Sequence, residues 1–135
     1  MKKTTLILLT LFSVTISLPS YADWTRVGKN QSKSLYHVDF DTIRKEDGYV
    51  YYFQMVQFLK PIPILGFSNK AYVQGDCKNN RIKILQIRLY DEPMGEGVGR
   101  KMPNMEDNAN QWMLMSEVRD YDSGYEVALK KVCHR

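Results

Sequence analysis

Two cysteines, Cys77 and Cys133, constrain this chain more than any other feature, because each falls on the inward side of an element with a plain periodicity. Residues 70–77 alternate as a strand does: Ala71, Val73, Gly75 and Cys77 share one face, and Lys70, Tyr72, Gln74 and Asp76 share the other. The first face is small and apolar, so a helix can approach it closely. Residues 122–133 supply such a helix, with Tyr125, Ala128, Leu129, Val132 and Cys133 in one stripe at i, i+3, i+4, i+7, i+8. Ser123 and Glu126 have the spacing of a capping box, and Glu126 and Lys130 stand four apart on the outer side. The pairing these positions predict is Cys77 with Cys133. It closes a loop of about 57 residues, worth about 4 kcal/mol in the chain-entropy picture. Two buried free thiols, or a metal-binding pair completed by His134, are the alternatives.

The disulfide needs an oxidising compartment, and the N-terminus carries an address for one. Met1-Lys2-Lys3 is a cationic start, 6–16 is an apolar run, and Pro19-Ser20-Tyr21-Ala22 ends in a small-x-small pattern. This is the layout of a secretory signal peptide cleaved after Ala22, leaving residues 23–135 as one domain. The apolar run is shorter than the roughly 20 residues a membrane helix needs, and no later segment reaches that length, so no membrane span is expected. Loss of Lys2 and Lys3 halves the net charge of +4, which argues against a nucleic-acid partner. No cysteine stands at the cleavage site to accept a lipid, so the expected destination is the periplasm or the exterior rather than an anchored surface position.

The rest reads mainly as strands. Residues 24–28 and 35–39 form a hairpin across 29–33, and 39–43 looks like a turn or short helical corner. Asp47-Gly48 then marks a reversal into 49–58, where both alternating sets are apolar, as in a strand covered on both faces. Lys78-Asn79-Asn80 turns the 70–77 strand into 81–90, whose apolar set switches faces near Ile84-Leu85, a bulge signal. Residues 91–110 form a long Gly- and Pro-containing loop, and 111–115 a last strand. The fold class is therefore α+β: a single antiparallel β-sheet of about six strands with a C-terminal helix packed on one face and tied by a disulfide.

Catalytic and cofactor chemistry is thinly represented. Gly95-Glu96-Gly97-Val98-Gly99 lacks the dinucleotide spacing and any βαβ setting. Asp120-x-Asp122-x-Gly124 has Lys131 where a calcium loop requires a bidentate Glu. His37 and Asp39 share a strand face but have no activated nucleophile beside them. The acids Asp91-Glu92 and Glu106-Asp107 sit in loop sequence. No enzyme activity, cofactor or metal is expected.

Two surfaces are candidates for recognition. Residues 58–67 are apolar and proline-stiffened where a polar loop would be ordinary; Pro61, Ile62, Ile64 and Leu65 make either a partner, dimer or membrane-surface patch, or a lid folded over the sheet. The disulfide also gathers Lys78 and Arg81 near Lys130, Lys131 and Arg135, a local basic cluster able to meet a polyanion such as heparan sulfate.

Trp24, Tyr36-x-x-Asp39 with Ile43 following, Asp76-Cys77, Gly95-x-Gly97, Trp112 and Ser123-x-x-Glu126-x-x-Leu129-x-x-x-Cys133 together resemble the surface-adhesin protein E family of Gram-negative bacteria. The resemblance implies a six-stranded antiparallel sheet, a C-terminal helix tied to its concave side by one disulfide, and a homodimer. It also implies adhesion to host cells and matrix proteins such as vitronectin, laminin and plasminogen. The matching positions are markers of the fold, so no binding residue is carried over. The expected function is thus that of an exported, non-enzymatic binding protein. The alternative is a soluble periplasmic partner or inhibitor of another envelope protein, and a small hydrolase centred on His37 ranks last.

Overall fold

A computed structural model describes residues 22–105, 111–118 and 123–135. Most of the expected signal segment, the acids at 106 and 107 and the Asp120-x-Asp122 motif lie outside these. The elements are β1 (Trp24–Lys29), β2 (Leu35–Glu46), β3 (Tyr49–Ile62), β4 (Gly66–Asp76), β5 (Arg81–Tyr90), β6 (Arg100–Lys101), β7 (Met113–Leu114) and α1 (Ser123–Cys133). The strands run β1-β2-β3-β4-β5-β6 as an antiparallel meander, and β7 joins the outer edge of β5 at the end opposite β6.

The local signals explain much of this. Asp47 and Gly48 both have positive φ, as a two-residue hairpin between right-twisted strands requires. Tyr72 pairs with Gln86 and Val73 with Ile84, which leaves Leu85 as the extra residue of a bulge where the apolar pattern changes faces.

Three expectations need correction. Residues 40–43 do not end β2: the strand continues through a register break between Asp39 and Arg44. There the Asp39 carboxylate accepts from the Asp41 N–H at 3.1 Å, and the Thr42 hydroxyl donates to the Asp39 carbonyl at 2.8 Å. Likewise 58–62 continues β3 and 66–69 begins β4, so the apolar connection is the arm of a long hairpin. Pro61 is tolerated because the β3–β4 ladder is irregular between Gln57 and Ile62, where its missing N–H breaks no regular pairing. Finally, β3 is covered on both sides only in part. Val50, Tyr52 and Val56 are buried on the helix side; on the other side Met55 is fully buried, whereas Tyr49 and Tyr51 remain partly exposed and Phe53 is 40% exposed.

The core lies between α1 and the sheet and contains Val38, Tyr52, Val73 and Ile82 with Ala128, Leu129 and Val132. Gly75 makes the approach possible: a Cβ there would sit 2.6 Å from Leu129 Cδ1 and 2.8 Å from Val50 Cγ2. At the start of the helix, Gly124 presses on the Tyr36 ring. The Cys77–Cys133 bond is present, with the two Cα atoms 5.8 Å apart. Cys77 itself is exposed just beyond β4, so the clasp closes the rim of the core rather than its interior. Glu126 pairs with Lys130 at 3.0 Å.

Candidate functional site

The β3–β4 hairpin projects the candidate residues 61–65 at its tip. Pro61, Ile62 and Ile64 are exposed, and Ile64 is 73% exposed. Leu65 is half-buried and, with Ile62, lines a cavity of about 330 Å³ that continues past Phe58 and Asn69 to Tyr36 and Tyr125. Ile64 has a φ of 71°, a left-handed conformation unfavourable for a β-branched residue. Gly66 follows at φ 81°, where a Cβ would overlap the Tyr90 carbonyl oxygen. Apolar exposure and backbone strain thus coincide at one tip.

The residues of the basic cluster are distributed more widely. Lys78 is exposed in the turn after Cys77, and Lys131 is exposed on α1. Lys130 is paired with Glu126, and Arg135 lies over the Phe40 ring at 4.2 Å. Arg26, which sequence order does not place here, lines a cleft of about 400 Å³ with Lys131, His134 and Arg135.

Arg81 turns to the other sheet face, where its Nε donates to Asp76 at 2.9 Å. Burial alone would raise the Asp76 pKa, but the side-chain hydrogen bonds from Asn79 and Arg81, the Asn79 backbone N–H and the Arg81 charge outweigh it. The carboxyl is therefore held below its ordinary value of 3.8. Because the unfolded chain takes up this proton at higher pH than the folded one, Asp76 stabilises the fold fully above the ordinary value. That contribution is lost as pH falls through the lowered value. Asp76→Asn is expected to flatten the acid limb of the stability curve, measured by urea titration at several pH values, and to cost about 1–3 kcal/mol at neutral pH.

His37 and Asp39 do share a sheet face, both buried. Burial, then the Arg26 charge, lowers the His37 pKa, so it is neutral at pH 7. Among the described residues no group of His, Cys, Asp and Glu is placed to hold a metal ion, and no helix is long and apolar enough to cross a membrane. Residues 92–95 fold back on the sheet: the Ser68 hydroxyl donates to the Glu92 carbonyl at 2.7 Å and accepts from the Gly95 N–H at 2.8 Å.

The arrangement defines a class: a small disulfide-clasped domain with one helix-covered face and exposed apolar and basic side chains. The chain belongs to the surface-adhesin protein E family, whose model matches residues 24–134. It is similar to Haemophilus influenzae protein E. Crystal form II of that protein matches at a TM-score of 0.59 and 18% identity over 84% of this chain and 89% of the other. A second structure of it matches at 0.56 and 19% over 84% and 86%. Protein E from non-typeable H. influenzae matches at 0.52 and 17% over 78% and 74%. Comparison with curated proteins finds no match.

Proposed function

We propose that this chain is an exported, non-enzymatic adhesin-type protein that engages a protein partner through the β3–β4 hairpin tip. The observation that carries this reading is Ile64, an apolar β-branched residue held exposed in a left-handed turn, where Asn or Gly would be less strained. Family membership favours a host matrix protein, with vitronectin, laminin and plasminogen as the first to try. A second copy of the chain docking by the same tip would make the homodimer.

Ile62→Ser with Ile64→Ser is expected to leave the melting temperature nearly unchanged while reducing partner capture at least tenfold. Ile64→Asn separates the two effects, with stability rising by about 1 kcal/mol as the strain is relieved and binding falling. A large loss of stability in the double serine variant with capture unchanged would instead make the tip a lid. A periplasmic role, with the same tip docking on another envelope protein, is the second reading. Detection on intact cells supports adhesion, and release only by osmotic shock supports the periplasmic role.

A further inference from the structure

The sheet face turned away from α1 has a chemistry distinct from that of the hairpin tip. Tyr49, Tyr51 and Phe53 alternate along β3, and the register sets Phe53 beside Tyr72, Tyr51 beside Gln74, Gln74 beside Lys83, and Tyr72 beside Gln86. The rings form a nearly continuous shelf, with Phe53 and Tyr72 centroids 4.7 Å apart, Tyr51 and Tyr72 6.2 Å, and Tyr49 and Trp112 5.5 Å. From Tyr49 to Phe53 the shelf runs about 13 Å along the strand. The 92–95 segment covers the far end, where Met55 is fully buried, and packs against Gln57, Ser68 and Lys70.

Cations are fixed over these rings: Arg44 lies 5.0 Å from the Tyr51 centroid, and Arg81 and Lys83 lie 4.3 and 4.6 Å from that of Trp112. Arg44 pairs with Glu46 and Arg81 with Asp76. Lys70, Lys83 and Arg88 point to the same face by register and have no acidic partner among the described residues. The face is therefore aromatic, positively charged and interrupted by the neutral amides of Gln74 and Gln86.

We propose that this face binds an acidic polysaccharide. Ring faces take the C–H faces of sugar rings, the amides take hydroxyls, and the cations take carboxylate or sulfate groups. Stacking on the rings already restrains the cationic side chains, which lowers the ordering cost of binding. Nucleic acid fits less well, because neutral amides separate the cations and the whole chain carries only +4, whereas a phosphate backbone demands denser positive charge.

The test is calorimetric titration of residues 23–135 with a heparan sulfate octasaccharide, its desulfated counterpart and an oligothymidylate of similar length. The sulfated octasaccharide is expected to bind most tightly. Tyr72→Ala and Lys83→Gln should each weaken it about fivefold or more with the melting temperature held. Lys83→Gln leaves the ring packing alone, so it stands even if Tyr72→Ala folds poorly. Lys130→Glu with Lys131→Glu, and the Ile62 and Ile64 serine variant, should bind as the parent does; a loss confined to either of these would overturn the assignment to this face. Failure of the octasaccharide to bind, indifference of both face variants, or tighter binding of the oligothymidylate would likewise overturn the proposal.

Discussion

Replacing Cys77 and Cys133 with serine is expected to lower stability by about 4 kcal/mol, the chain-entropy value for the loop their bond closes. For a domain of this size that is a fall in melting temperature of about 15 °C. The effect is large because of what the bond holds. An 11-residue helix is marginal in isolation, and among its described residues only Gly124, Ala128, Leu129 and Val132 are buried. Without the clasp, the unfolded chain regains the freedom of the loop and the last turn of α1 loses its anchor at the rim. Thermal unfolding with and without reductant measures this in the parent protein. A shift of only a few degrees would mean that helix docking is set by packing alone.

Leu129→Ala should cost about 3 kcal/mol, the usual range for a fully buried leucine whose cavity cannot collapse. The site cannot close easily, because Leu129 rests on the backbone of Gly75 with Val50 and Tyr52 alongside. The contact also runs the other way: Gly75→Ala places a methyl within 2.6 Å of Leu129 Cδ1 and should destabilise by about 1–3 kcal/mol through overpacking. Since the added methyl fills space the leucine leaves, the double variant is expected to lose less than the two single losses summed. Chemical denaturation of the four proteins measures the coupling. Simple additivity would place Leu129 elsewhere than over Gly75.

The contact between Gly75 and Leu129 was legible in the sequence because it arises from two local periodicities, a small-residue face at spacing two and an apolar stripe at helical spacing. The same holds for the Asp47-Gly48 reversal and the bulge at Leu85, where turn chemistry and a phase change in the apolar pattern act over a few residues. Other features depend on tertiary context. Pro61 reads as a strand terminator, yet a ladder irregularity accommodates it inside β3. The two-residue strand β6, inside the segment that reads as a loop, has too few side chains to show a period and exists because the β5 edge offers a partner, whereas β7 falls within the last strand expected at 111–115.

The candidate surfaces divide in the same way. Residues 58–67 stood out as apolar where polarity was ordinary, and their place at an exposed tip follows from the length of β3. The far face of β3 reads as covered throughout, which holds at Met55 and not at Phe53, because apolar alternation on both sides of a strand looks the same whether a second layer packs there or the rings shield one another and take cations. Arg81 illustrates the limit further: sequence proximity to Cys77 puts it near the helix end, but its strand parity sends its side chain to the opposite face, toward Asp76 and Trp112.

The reading as a protein-binding adhesin through the hairpin tip is tested most directly by surface plasmon resonance of residues 23–135 over immobilised vitronectin and laminin, beside the Ile62→Ser, Ile64→Ser variant. Saturable binding to at least one of them, reduced at least tenfold in a variant that melts like its parent, is the expected result. Absence of saturable binding to either, or equal binding by the parent and the variant, would contradict it.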